Sequence, residues 1–148
     1  MTRLSEQQRE RLVALLREET ELMRDFADLT VEQAAFIAGD DGKALAASFA
    51  ESEALRERFD RARAEADGLK AIYAESGERD GEIDMLAAEI DDLAGRAAAK
   101  NAENAEAARA SLAELGAQLA KMSQNRKVVL GYAALGAYGM SGLLDKMT

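Results

Sequence analysis

The chain of 148 residues contains no cysteine, proline, histidine or tryptophan. Without Cys there is no disulfide, thiolate nucleophile or Cys-based metal site. Without His there is no Ser-His-Asp triad and no Glu/His di-iron centre of the kind built inside helical bundles. Carboxylates, Lys, Tyr and Ser/Thr remain, and no local motif gathers them into an acid, a base and a pocket. The pattern predicts a protein that is not an enzyme and that uses neither cofactor nor metal. Aromatic residues are scarce, with three Tyr and four Phe, too few to anchor a sheet, and no stretch alternates with period two.

Positive charge is also in short supply. Nineteen Lys and Arg face 28 Asp and Glu, for a formal net charge of −9. That balance argues against a nucleic-acid partner, because phosphate tracking requires clustered Lys and Arg. The opening Met-Thr-Arg-Leu-Ser-Glu has no apolar run after its charge, so no secretory signal is expected. An acidic, Cys-free chain of this kind reads most simply as a soluble cytoplasmic protein.

The chain is rich in Ala, Leu, Glu, Arg and Gln, all strong helix formers. Two clusters punctuate it. At Ala38-Gly39-Asp40-Asp41-Gly42, Gly39 suits a left-handed stop and either Asp suits the next N-cap. At Ser76-Gly77-Glu78-Arg79-Asp80-Gly81, Gly77 is the stop and Asp80 the cap. The expected helices therefore run over 5–38, 43–76 and 81–124, with short connections that make neighbours antiparallel. Thr30-Val31-Glu32-Gln33 fits a capping box and is a place where the first helix is open to a break or a kink.

Each segment carries a near-heptad stripe: Leu15, Leu22, Leu29 and Phe36 in the first, and Leu45, Phe49, Leu55, Phe59, Ala62, Ala66, Leu69 and Ile72 in the second. In the third it runs Ile83, Leu86, Ile90 and Leu93, then resumes at Leu112, Leu115, Leu119 and Met122. Such stripes pack as left-handed, coiled-coil-like bundles. The expected fold is thus all-α, an antiparallel three-helix bundle over residues 1–125 with an extended third helix. Between Ala94 and Ser111 that helix has no large apolar side chain, and Asn101 lies on the row Ala94, Asn101, Ala108, Leu115, Met122. The third helix outruns the others by about ten residues, roughly 15 Å. Leu115, Leu119 and Met122 then stand where the first two helices offer no partner stripe, and an exposed apolar stripe requires a cover.

Residues 126–148 form a Gly-rich apolar tail. Gly131, Gly136, Gly139 and Gly142 punctuate it, and Arg126, Lys127 and Lys146 outweigh Asp145. The uncharged stretch from Val128 to Leu144 is shorter than the ~20 predominantly apolar residues of a membrane span. Its glycines disfavour a lone helix, so the tail is expected to order on contact or to fold back.

The run Glu32-Gln-Ala-Ala-Phe-Ile-Ala-Gly39-Asp40-Asp41-Gly-Lys-Ala-Leu45, followed by Glu51-Ser-Glu53-Ala-Leu55, resembles the FlgN-type flagellar export chaperones. So do the asparagine pair Asn101 and Asn104, the spacing Ala108, Leu112, Leu115 after it, the tail Tyr138-Gly139-Met140-Ser141-Gly142, and the opening six residues. Ser52-Glu53 stands where that family often has Glu-Lys, and the tail is more apolar than the family's. The resemblance implies a cytoplasmic chaperone for flagellar hook-filament junction proteins, which holds their C-terminal helical segments before type III export. It implies cargo contacts at Asn101 and Asn104 and along the spacing Ala108, Leu112, Leu115, and the exposed row Leu112, Leu115, Leu119 and Met122 is the groove expected to take the cargo helix. It also implies docking on an export gate protein through Tyr138, with Tyr132 and Gly139 beside it, so that membrane contact comes through the export apparatus.

Other readings stand beside these. Asn101 and Asn104 suit a polar seam that fixes register. The stripe from Leu112 to Met122 suits a cover by the chain's own tail, by a cargo helix, or by each in turn. A self-associating structural coiled coil would bury the same stripe in a homodimer, and Val128 to Leu144 with Arg126 and Lys127 suits a membrane surface.

Overall fold

Helix-forming composition and two short breaks dictate three long helices. The computed structural model describes residues 2–121, and it contains α1 (Glu6–Ala38), α2 (Gly42–Ser76) and α3 (Gly81–Lys121), of 33, 35 and 41 residues. The fold is an all-α, antiparallel three-helix bundle, and no strand occurs among the described residues. Met122 and the whole tail, with Tyr132, Tyr138 and Gly139, lie outside them.

The ends follow local chemistry. Ser5 and Gln8 exchange hydrogen bonds at the start of α1: the Gln8 amide donates to Ser5 Oγ (3.1 Å) and the Ser5 amide to Gln8 Oε1 (2.9 Å). This is a reciprocal capping box. The capping-box sequence at Thr30 does not interrupt the first helix: α1 continues through it to Ala38, as the 5–38 reading has it. At the end of α1 the left-handed residue is Asp40 (φ 53°), not Gly39. The Asp40 amide donates to Ile37 O and the Asp41 amide to Phe36 O, the paired bonds of a Schellman stop. Gly39 is one residue too early for the left-handed site. Asp40→Gly is therefore expected to stabilise the fold by about 0.5–1 kcal/mol, because Asp in this conformation carries a Cβ clash that Gly lacks. Chemical denaturation checks it, and no gain in midpoint would refute the strain.

Asp41 caps α2 by accepting from the Ala44 amide (3.1 Å). Gly77 (φ 71°) turns the chain after α2, and Asp80 Oδ1 accepts from the amides of Glu82 and Ile83 to start α3. Tyr73 ties this connection down: its hydroxyl accepts from the Asp80 amide (2.9 Å) and donates to Asp84 Oδ1 (2.8 Å).

The described residues divide into two compact units, one of residues 2–28 and 52–97 and the other of residues 29–51 and 98–121. The first has a full apolar core. Leu12, Leu15 and Leu16 of α1 meet Ala62 and Ala66 of α2 and Ile83, Leu86 and Ile90 of α3, with Phe59, Leu69 and Tyr73 packed around them. Arg9 pairs with Asp80 (2.5 Å) and Glu82, Arg17 with Glu82, and Arg24 with Glu89. Partners that ascend together in number show that α3 runs parallel to α1 here, as two short connections require. The second unit has a smaller apolar cluster: Ile37, Leu45, Phe49 and Ala108 form it, with Phe36 against it.

Candidate functional site

Alanine holds α3 helical through 94–111 by propensity while adding little burial. The consequences appear in the second unit. Asn104 is 2% exposed and donates from Nδ2 to the backbone carbonyl of Thr30 (2.8 Å). Thr30, Gln33 and Ser48 are buried in the same unit, with Ser48 Oγ donating to Leu45 O (2.6 Å). A buried amide with a main-chain partner fixes the register of α3 against α1 there. Asn104 and Ala108, which is fully buried, therefore offer no surface to a cargo in this conformation. They belong to the interior. Asn101 is half-buried.

Beyond Ala108 no described residue of α3 is buried. The helix nonetheless continues through Lys121, the last described residue, a further 20 Å or so at 1.5 Å per residue. Leu112, Leu115 and Leu119 are half-buried, and their four-three spacing after Ala108 puts them on one face. Three of the expected contact residues are thus brought together on a single strip. Gly116 sits beside them with open space where a Cβ would go, so the backbone there is open to close approach.

In the first unit a shallow groove is lined by Gln7, Gln8, Arg11, Glu65, Gly68 and Leu69. Arg11 grips Glu65 there through two hydrogen bonds (2.8 and 2.6 Å) and holds its carboxyl below the ordinary range. Glu65 is thereby committed as an ion-pair partner. Asp80 and Glu82 are likewise held low, chiefly by their hydrogen bonds to Arg9. No group of three or more metal-ligating side chains occurs among the described residues, and none of the described helices is long and apolar enough to cross a membrane. The adjacent pair Asp40 and Asp41 serves the end of α1 and the start of α2.

One unusual group escaped the sequence reading. Glu19 is 1% exposed, and neither carboxylate oxygen has a hydrogen-bond partner; Lys70 Nζ stands 3.7 Å away. Burial pushes its pKa up, against the pull of Lys70 and Arg63. The signal was present in the row Leu12, Glu19, Phe26, spaced by seven. No family model, curated protein or solved structure matches the chain.

Proposed function

We propose that this chain is a FlgN-like export chaperone, a non-enzymatic cytoplasmic binding protein. It captures the amphipathic C-terminal segment of a flagellar hook-filament junction protein and keeps that segment competent for type III secretion. One observation carries the reading: α3 runs on past its last buried residue, Ala108, with Leu112, Leu115 and Leu119 along one face and none of them buried. An apolar strip on a rigid helix suits capture of a partner helix, which lays its own apolar face along the strip. Burial of two such faces supplies the free energy, and no nucleotide is needed, since the chain has no Gly-rich phosphate loop.

The test is calorimetric titration of the full chain with a synthetic peptide copying the C-terminal segment of a hook-filament junction protein. A scrambled peptide of the same composition serves as control. Saturable one-to-one binding with a negative heat-capacity change is expected for the ordered peptide alone. Equal binding of both peptides, or none of either, would overturn the proposal. Light scattering on the same samples separates it from a self-associating coiled coil, in which mass rises with concentration in the absence of peptide.

A further inference from the structure

Three independent features set the second unit apart from the first. Its interior holds four large apolar side chains, Leu29, Ile37, Leu45 and Phe49, where the first unit buries ten Leu, Ile and Val. Because apolar burial is the dominant favourable contribution to folding, this is the largest difference between them. The second feature is the polar share of that interior: Thr30, Gln33, Ser48 and Asn104 equal its four large apolar side chains in number, whereas Glu19, Thr20 and Ser76 stand beside ten in the first unit. A satisfied buried hydrogen bond contributes less net stability than a packed Leu in the same place. The third is electrostatic. Among the described residues every ion pair joining different elements lies in the first unit, from Arg9–Asp80 to Arg24–Glu89, whereas Lys100–Glu103 and Arg109–Glu106 of the second stay within α3.

We infer that residues 29–38, 42–51 and 98–110 open together as a sub-global unit while the core around Leu12, Leu16 and Leu86 stays folded. Cooperative units of this kind open with free energies well below that of global unfolding, and few buried apolar contacts mark them. The inference deepens the chaperone reading and rests on it for its use: opening loosens this stretch of α3 and bares Asn104, Ala105 and Ala108, and a cargo helix that re-forms the stretch on binding meets them in line with Leu112, Leu115 and Leu119. The strip then lengthens toward the asparagines, so cargo binding by the open form follows from population shift. Asn104 reaches a cargo only by this route.

Native-state hydrogen exchange on the full chain, read by mass spectrometry of proteolytic fragments, tests it without any cargo. Amides of 29–38, 42–51 and 98–110 are expected to show at least about 10-fold less protection than those of 12–22, 58–69 and 83–93. Protection equal within that factor, or reversed, would overturn the inference while leaving peptide capture by the strip standing. Conversely, a failed peptide titration leaves the exchange pattern intact. Asn104→Leu supplies the second arm, since it should raise protection in the second unit alone. An equal rise in both units would show one cooperative transition and refute the separate opening.

Discussion

Replacing Glu19 with Met is expected to stabilise the folded chain by about 1–3 kcal/mol at about pH 8, since a buried charge with poor partners is commonly worth less than an apolar group of similar volume. Glu19 is buried, both oxygens lack a hydrogen bond, and Lys70 is too distant to donate one. The charges that weigh on it stand on α2: Lys70 and Arg63 favour its ionised form and Asp67 opposes it. On α3 the charged groups near this level, Glu82, Asp84 and Glu89, are engaged by Arg9 and Arg17, by Tyr73, and by Arg24 respectively. Desolvation is the largest influence and raises the folded pKa.

The sign of the pH dependence follows. A carboxyl whose folded pKa lies above its unfolded value contributes stability that is fully present below the unfolded value. That contribution is lost as pH rises through the folded one. Asp80, Glu82 and Glu65, with lowered values, behave oppositely: their contribution is present above the ordinary carboxylate range and is lost as pH falls through their lowered pKa values. Subtracting the Glu19→Met profile from the wild type isolates the first effect. Urea unfolding at a series of pH values should show the advantage of the variant growing as pH rises from acid toward neutral. A pH-independent difference, or a variant weaker at the alkaline end, would show that Lys70 compensates the buried charge.

The helix ends and the principal stripes were legible because short-range chemistry decides them. Gly77, Asp41 and Asp80 act as their residue types suggest, and Leu12, Leu15, Leu16, Ile83, Leu86 and Ile90 form the core that their spacing implies. What escaped depends on phase. In the alanine-rich stretch no large side chain selects which row faces inward, so a seven-residue extrapolation through Asn101 and Ala108 is underdetermined. The buried line instead passes through Leu93, Ala97, Asn104 and Ala108. Asn101 stays half-buried. Glu19 was passed over because an apolar pattern counts the Leu, Ile and Phe positions and skips an acid that occupies one of them. Asp40 is a subtler case, since Gly39 is the residue type for a left-handed stop while the hydrogen-bond pattern places that site one residue later. The division of the bundle into two units was not legible at all. It reflects how burial is distributed among three helices, which no single segment encodes.

The double substitution Leu115→Glu with Leu119→Glu is expected to weaken peptide capture by at least about 100-fold, because apolar anchors at the centre of a small interface carry most of its energy. Both residues are half-buried and follow the last buried residue of α3, so the substitution places two carboxylates on the strip without opening a cavity in either core. The thermal midpoint should accordingly fall far less than for Leu12→Ala or Leu16→Ala, which remove fully buried side chains at about 2–5 kcal/mol each. Met85→Glu is the control. Met85 is 61% exposed on α3 in the first unit, so its replacement changes surface charge by the same sign and should leave capture within a few-fold of wild type. Equal loss in Met85→Glu would assign the effect to net charge on an already acidic chain. Retained affinity in the double variant would remove the strip as the capture site. Loss confined to Leu115 and Leu119, with the bundle still folded, is the outcome that an apolar strip on the outreaching end of α3 requires.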